Sequence, residues 1–229
     1  MPTVAITGAA GAIGSVTAEV FAEAGWTLAL FDYGEENGTR LRNRFPDAHV
    51  YTGDLTDADA AQQVFDAAQN DTGGLDAVLS IAGGFSMQPA TEATQQDANK
   101  MMALNFQTLF QTARAAIPHL LEKDQAFFLG VSAPAAEDGG AGAALYAASK
   151  GAVAAYVKSL DAEYADDGLR ATVLYPMGVV DTPDNREAMP DADPSTWVAP
   201  RELAESMLYL AHRSQRGHVK TLKVHASVS

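Results

Sequence analysis

A tyrosine and a lysine stand four residues apart in the segment ALYAASKGAV, which covers residues 144–153. On a helix, side chains at positions i and i+4 lie on one face, a turn apart. An ammonium group beside a phenol favours the phenolate, so we expect Lys150 to lower the pKa of Tyr146 from its reference value of about 10. Such a pair can donate and accept protons. The alternative is an exposed pair on a surface helix.

Ser132, in the segment FLGVSAP, follows an apolar run that is typical of a strand. A hydroxyl at this point can donate a hydrogen bond to a substrate oxygen as negative charge develops on it, which stabilises the transition state. The alternative is a strand-end serine that satisfies a local backbone group.

A glycine-rich turn follows the first apolar run, in the segment TGAAGAIG at residues 7–14. Glycines at Gly8, Gly11 and Gly14 let the backbone approach a pyrophosphate closely, and the N-terminus of the helix that follows favours negative charge. We therefore predict that this turn, with Ile13, binds the phosphates of a dinucleotide. A tight turn that binds nothing is the alternative.

Asp32 ends the second apolar run and can accept hydrogen bonds from both hydroxyls of an adenosine ribose. A carboxylate there repels a 2′-phosphate, so NAD is favoured over NADP, although NADP stays possible. Three nearby basic residues, more simply the solvated face of a helix, could hold such a phosphate; they are Arg40, Arg42 and Arg44. Asp54 and Leu55 follow the third run, near the expected adenine position, although Asp54 could equally cap a helix.

Short apolar runs alternate with longer amphipathic or alanine-rich segments, which predicts a parallel sheet covered by helices on both faces. We predict a single doubly wound Rossmann-type α/β domain over residues 1–229, with a seven-stranded, mostly parallel sheet. The predicted strands are TVAIT, TLALF, HVYTG, LDAVLSIAG, QAFFLGVS, LRATVLYP and VKTLKVHA. Residues 176–200 contain five prolines and form either a lid over a pocket or a disordered insertion, of which we favour the lid.

The chain carries 29 acidic and 15 basic residues, a formal net charge of −14. This charge repels phosphate backbones and anionic lipids, so we expect neither a nucleic-acid nor a membrane partner. The sequence contains no cysteine and begins without an apolar leader, which favours a cytoplasmic location. The five histidines lack ligand spacing, and we predict no metal site.

Taken in order, these motifs resemble the short-chain dehydrogenase/reductase family from Thr3 to about Thr182. The matching features are the glycine turn, Asp32, GDL at 53–55, AGG at 82–84, Asn105, Ser132, Tyr146, Lys150 and PMGVVDT with Pro176, Gly178, Val179 and Thr182. The resemblance implies hydride transfer between nicotinamide and a substrate, with Tyr146, Lys150, Ser132 and Asn105 as the catalytic set. It also implies cofactor contacts from Asp54, Leu55, Ala82, Gly83 and the PMGVVDT segment. Asn105 would hold a water-linked proton path; the alternative is a buried amide that bends its helix.

Several positions depart from the family pattern. Ser132 lies fourteen residues before Tyr146, one more than expected. Ser80 and Ile81 stand where the family has two asparagines, so the family's asparagine side-chain contact is missing. The segment from Asp181 to Trp197, with AGGF at 82–85, resembles the loop of dihydropteridine reductase. Phe85, Met87, Met177, Met189 and Trp197 could line a flat apolar pocket or simply pack the loop onto the body.

We expect at least a homodimer, or a homotetramer, because the family pairs the helices at residues 97–121 and 145–165 between subunits. The predicted function is an NAD(P)-dependent oxidoreductase acting on a carbonyl/alcohol pair, with NAD favoured. The alternatives are a dihydropteridine reductase-like pterin reductase and a non-catalytic dinucleotide sensor. A sugar-nucleotide epimerase would fit the glycine spacing, but little chain follows Thr182 to bind the sugar.

Overall fold

The computed structural model describes residues 1–226 and contains one seven-stranded sheet. Its strands are β1 (Thr3–Thr7), β2 (Thr27–Asp32), β3 (His49–Thr52), β4 (Ala77–Ser80), β5 (Ala126–Val131), β6 (Leu169–Met177) and β7 (Thr221–His225). The strand order is β3-β2-β1-β4-β5-β6-β7, and all neighbours pair in parallel. The predicted α/β class and all seven strands are confirmed, and the sheet is wholly parallel rather than mostly parallel.

Nine α-helices cover the sheet in the described part of the chain. They are α1 (Ala12–Glu23), α2 (Glu35–Arg44), α3 (Ala58–Thr72), α4 (Gln95–Met102), α5 (Thr108–Leu120), α6 (Ala135–Asp138), α7 (Ala144–Tyr164), α8 (Pro183–Ala188) and α9 (Pro200–Ala211). Within residues 1–226, none of the helices has both the length and the apolar character that a membrane crossing requires.

The alternating side chains of the strands build one apolar core on each face of the sheet. Phe128 points to the face that holds Phe65 and Leu109, whereas its neighbour Phe127 points to the face that holds Phe21 and Met207. Every residue of β5 is buried, as a central parallel strand requires. Burying one such aromatic side chain stabilises the fold by about 1.5–3 kcal/mol.

The connection from β3 to β4 carries the chain from one half of the sheet to the other, so the point where the strand order reverses lies between β1 and β4. Because all strands run in parallel, the loops after β1, β4, β5 and β6 meet at the same edge. In open parallel sheets, ligands bind in the crevice at this point. The topology therefore gathers most of the predicted site residues on these four loops and on α7. Asp32 ends β2, Asp54 and Leu55 follow β3, and Asn105 lies in the helical turn before α5.

The helix predicted at residues 97–121 is interrupted by a π-helical turn, Ala103–Gln107. This turn lies between α4 and α5 and contains Asn105, whose side chain is buried. Single π-turns inside helices occur frequently at functional sites. The sequence periodicity did not indicate the extra residue in this turn.

Residues 176–200 contain short elements of regular structure and pack onto the body of the protein. They contain α8, a 3-10 turn (Pro194–Thr196) and a parallel bridge between Val180 and Val198. Val198 is 2% exposed and packs into the core on the α1 side. The segment is thus a folded flap at the carboxyl edge of the sheet.

Candidate functional site

Tyr146 and Lys150 both lie in the first two turns of α7, as the spacing predicted. Lys150 is 6% exposed, and its Nζ donates a hydrogen bond to the carbonyl oxygen of Val131 at 3.0 Å. Burial lowers the pKa of Lys150 to about 8 because the charged ammonium loses its hydration. The ammonium is therefore held at the end of β5, beneath the mouth of the crevice.

The phenol of Tyr146 is half-buried and packs edge-to-face against Phe85, with 4.8 Å between ring centroids. Burial raises the pKa of Tyr146 to about 12. This corrects the prediction that Lys150 lowers it, because desolvation dominates while the ammonium is bonded to Val131. At neutral pH the phenol therefore keeps its proton and can donate it.

The hydroxyl of Ser132 is engaged with the backbone of α7. It donates a hydrogen bond to the carbonyl oxygen of Lys150 at 2.9 Å, and the residue is 2% exposed. A hydroxyl has one proton to donate, so a hydrogen bond from Ser132 to a substrate oxygen requires this bond to break. The predicted substrate contact stays a prediction, and the arrangement matches the strand-end alternative.

Asn105 connects the loop after β4 to α7. Its Oδ1 accepts a hydrogen bond from Gly84 N, and its Nδ2 donates to Gly84 O and to the Ser149 hydroxyl, each at 3.0 Å. A Cβ atom at Gly83 would lie 2.5 Å from Asn105 Oδ1 and 3.2 Å from Lys150 Nζ. Gly83 is thus the close-approach position that allows the amide and the ammonium to share one corner of the site.

The glycine turn has the geometry that its composition predicted. Gly8 adopts a positive φ of 66°, which favours glycine, and a Cβ atom there would lie 2.9 Å from Ala82 Cα. A Cβ atom at Gly14 would collide with the carbonyl oxygen of Gly8. Gly11 precedes α1, whose N-terminus has no side-chain cap. The first N–H groups of α1, including that of Ile13, are thus available to an anion.

Thr7 is a site residue that the sequence analysis did not single out. Its Oγ1 accepts hydrogen bonds from the N–H groups of Ile81 and Ala82, both at 3.2 Å. These bonds hold the loop after β4 against the glycine turn, so that Ala82 and Gly83 border the crevice. The threonine at the head of the glycine motif was the available signal.

The Asp32 carboxylate ends β2 beside the glycine turn. Oδ2 accepts a hydrogen bond from Ala10 N, and Oδ1 accepts from Asn37 Nδ2, both at 2.8 Å. The Arg40 guanidinium donates to the carbonyl oxygen of Ala10 at 2.9 Å. By contrast, Arg42 and Arg44 pair with acidic side chains, as predicted for a solvated helix face.

Asp54 and Leu55 lie in the turn after β3, where their observed contacts are local. Asp54 Oδ1 accepts hydrogen bonds from the N–H and hydroxyl of Thr56 at 2.9 and 2.6 Å. The residue that caps α3 is Asp57, so Asp54 is not its cap. The side chain of Leu55 is buried in the core beside Phe65.

The PMGVVDT segment spans the end of β6 and the start of the flap. Pro176 is buried within β6, and a Cβ atom at Gly178 would lie 2.8 Å from Ala226 Cβ. Val179 is 36% exposed, and the Thr182 hydroxyl caps α8 by accepting a hydrogen bond from Asn185 N. These residues shape the wall of the crevice on the β6 side.

A doubly wound parallel sheet, a glycine turn before an uncapped helix at its switch point, and a Tyr–Lys helix pair with a buried lysine together define a class of dinucleotide-fold proteins. Comparison with known proteins gives the family. Residues 2–193 match the family model described as short chain dehydrogenase. The chain belongs to the short-chain dehydrogenase family, and the resemblance found in the sequence is confirmed at that level.

Curated relatives include a 1-deoxy-11-beta-hydroxypentalenate dehydrogenase of Streptomyces exfoliatus. It is 34% identical over 185 residues, which cover 78% of this chain and 67% of the relative. An uncharacterized oxidoreductase of Staphylococcus aureus strain USA300 is 25% identical over 221 residues, covering 96% of this chain and 94% of its own. The chain is thus placed among oxidoreductases of the family.

Solved structures share the fold over nearly the whole chain. A 3-ketoacyl-(acyl-carrier-protein) reductase from Brucella melitensis, complexed with NADH, superposes with a TM-score of 0.86 at 23% identity, covering 98% of this chain and 96% of its own. A short-chain dehydrogenase/reductase from the same organism superposes with a TM-score of 0.88 at 25% identity, covering 98% of this chain and 95% of its own.

Proposed function

We propose that this protein is an NAD-preferring reductase that transfers hydride from nicotinamide to a carbonyl substrate, with Tyr146 as the proton donor. The observation that carries the proposal is the Tyr146–Lys150 pair on α7, at the crevice where the carboxyl ends of β1 and β4 diverge. A protonated phenol at neutral pH suits donation to a developing alkoxide, so reduction is the direction that this site favours.

The residues at the switch point fit a dinucleotide. Gly8, Gly11 and Gly14 leave room for a pyrophosphate, which the free N–H groups of α1 would hold. Asp32 would accept hydrogen bonds from the ribose hydroxyls, and Asp54, Leu55, Gly83 and the PMGVVDT segment would complete the walls. When bound, reduced nicotinamide supplies the hydride, so no protein group has to supply it.

Asp32 is the basis of the proposed NAD preference. Its carboxylate would repel the 2′-phosphate of NADP, as two like charges do at close range. Arg40 lies on the other side of Ala10 and would offset part of this repulsion. We therefore propose a preference for NAD rather than an absolute selection.

Tyr146, Lys150 and Asn105 form one connected unit in this proposal. Lys150 would add positive charge one helical turn from the phenolate that forms as the proton leaves, and Asn105 positions the loop that carries Gly83. Because the pKa of Lys150 is about 8, we expect the rate of reduction to fall above that pH as the ammonium loses its charge. Ser132 anchors α7, and its substrate contact would need a rearranged hydroxyl.

The flap at residues 176–200 is proposed to cover the substrate, since it follows β6 at the edge where the crevice opens. A homodimer is proposed through α5 and α7. The exposed groove between these helices is lined by Phe110, Tyr156 and Leu160 among others, and the rings of Phe110 and Tyr156 lie 5.8 Å apart. Light scattering of the purified protein measures this oligomeric state.

The resemblance to dihydropteridine reductase leaves a quinonoid dihydropterin as a second candidate substrate. The edge-to-face contact between the Phe85 ring and Tyr146 is the observation that favours this candidate, because it places an aromatic ring beside the proton donor, where a flat ligand could stack. Its reduction would use the same proton donor.

The test is NADH oxidation followed by absorbance, with aldehydes, ketones, quinones and quinonoid dihydropterin as substrates. NADPH serves as the alternative cofactor, and Tyr146→Phe as the variant. We expect turnover with NADH that Tyr146→Phe reduces by about 10²-fold or more, the size of a lost general acid. If NADH binds but no substrate turns over, the chain is a dinucleotide sensor. If Tyr146→Phe retains full activity, the assignment of Tyr146 is wrong.

A further inference from the structure

Large apolar side chains are exposed on the loop between β4 and α4. Phe85 is 62% exposed and Met87 is 60% exposed, whereas most other large apolar side chains of the described chain are buried or half-buried. A single exposed apolar residue is common on protein surfaces, but a group of them beside a cleft marks a ligand-binding surface. Leu104, 38% exposed in the π-helical turn, belongs to the same group.

Contacts connect this group directly to the proposed proton donor. The Phe85 ring meets Tyr146 at 4.8 Å and an interplanar angle of 87°. Gln88 N donates a hydrogen bond to the carbonyl oxygen of Gly142 at 2.8 Å, which holds the loop of Met87 against the start of α7. A Cβ atom at Gly84 would lie 3.0 Å from Leu104 Cδ1, so Leu104 borders the same loop.

A small cavity of about 60 Å³ lies beside this group, between the loop after β4 and the start of α7. Most of its lining side chains are small or apolar, with one amide and one hydroxyl; they include Ser86, Gln88, Ala90, Ala93, Ala144 and Leu145. This volume is well below the range for whole ligand pockets, about 300–1,000 Å³, so the cavity can receive only a small part of a ligand. A short aliphatic chain attached to the reacting carbonyl would fill it.

The charge around the crevice is mainly negative. The flap residues 181–193 carry five acidic side chains and one basic side chain, Arg186, which pairs with Asp181. The whole chain has a formal net charge of −14. Lys150, one helical turn from Tyr146, is buried under the loop of Gly83. An anionic substrate would therefore approach against a repulsive field.

We infer that the substrate is a neutral, largely apolar carbonyl compound whose hydrocarbon part packs on Phe85, Met87 and Leu104. This inference rests on the proposed function and specifies its substrate class. Phe85 is a specificity residue: it contacts the part of the substrate that does not react, while Tyr146 contacts the oxygen. Carboxylates and phosphorylated thioesters are disfavoured because of the acidic flap.

The first test measures how chain length affects NADH-dependent reduction of straight-chain methyl ketones. In the wild type, each added methylene is expected to raise kcat/KM by up to about fourfold until the cavity is full. The gain should lie mainly in KM, because the apolar contact is the same in the ground and transition states. Phe85→Ser should flatten this dependence, and Phe85→Leu, which stays apolar, should retain it. Tyr209→Ser is the matched control, since Tyr209 is a 53% exposed aromatic residue on α9.

The second test compares a keto acid with its methyl ester at low and high salt. The ester should be favoured by about tenfold or more at low ionic strength, and the ratio should shrink near 1 M salt, where screening reaches about 3 Å. A preference for the keto acid, or a chain-length dependence that is absent or survives Phe85→Ser, overturns the inference while leaving hydride transfer intact. NADH binding without reduction of any carbonyl overturns the proposed function and the inference with it.

Discussion

Replacing Lys150 by methionine is expected to stabilise the protein while abolishing its activity. The lysine is 6% exposed, and burial lowers its pKa from 10.5 to about 8. Such a difference corresponds to about 3 kcal/mol that the fold loses below pH 8 by holding the charged form. Methionine keeps the unbranched apolar stem and removes this cost.

Part of the gain is offset by the lost hydrogen bond from Lys150 Nζ to the carbonyl oxygen of Val131. An unsatisfied buried carbonyl costs about 1–3 kcal/mol. The net stabilisation of Lys150→Met at pH 7 is therefore at most about 2 kcal/mol, which in a chain of this size raises the Tm by up to about 8 °C. Reduction of a carbonyl by the variant should fall to background.

Urea denaturation followed by tryptophan fluorescence, at one protein concentration and without added dinucleotide, measures the difference. The pH dependence of the free energy of unfolding tests whether the buried charge is the cause. Between pH 8 and 10.5, the unfolded chain holds the Lys150 proton and the folded chain does not, so wild-type stability rises with pH. The advantage of Lys150→Met should therefore be full below pH 8 and absent above 10.5. A variant that is less stable at pH 7, or equally advantaged at both pH values, refutes the reasoning.

Three further substitutions test other parts of the site. Asp32→Asn removes the charge that repels a 2′-phosphate, so the ratio of NADPH to NADH affinity should rise by about tenfold or more; an unchanged ratio in fluorescence titrations contradicts the role of Asp32. In Gly14→Ala the new Cβ atom meets the Gly8 carbonyl oxygen; NADH affinity should fall far more than in Gly11→Ala, where the corresponding contact is 3.2 Å, and equal losses would argue against the packing of the turn. Ser132→Ala should lower kcat by less than tenfold, because the hydroxyl is bonded to α7; a loss of about 10²–10³-fold in steady-state kinetics would show that it donates to the substrate.

The fold could be predicted from the sequence because its strands are short, continuous apolar runs separated by helical segments. The run TVAIT, for example, is β1 residue for residue, with all five side chains buried. Parallel pairing followed from the alternation of these apolar runs with helical segments. The π-turn at Asn105 was not predicted, since one extra residue in a helix leaves the apolar periodicity nearly unchanged.

The local geometry of the candidate site was predictable where the backbone determines the residue type. Gly8 and Gly14 follow from the tight turn, and Tyr146 and Lys150 follow from helical spacing. The predicted direction of the Tyr146 pKa shift was wrong, because the spacing of residues gives their proximity along a helix but not their burial. The partner of Ser132 could not be predicted either, since which way a strand-end hydroxyl turns depends on the helix that packs against it.

The polar contacts around α7 suggest why so much of the site is structural. The Ser132 hydroxyl donates to the carbonyl of Lys150, whose ammonium donates back to Val131 at the end of the same strand. Asn105 ties Ser149, one residue before Lys150, to the loop after β4. A proton donor stabilises a transition state only if it is already in place when charge develops. These bonds fix the helix turn that carries Tyr146 from two sides. Burying the Lys150 ammonium destabilises the fold by about 3 kcal/mol, and a hydrocarbon side chain in its place would avoid this cost. The presence of Lys150 there is therefore an argument for chemistry rather than for stability.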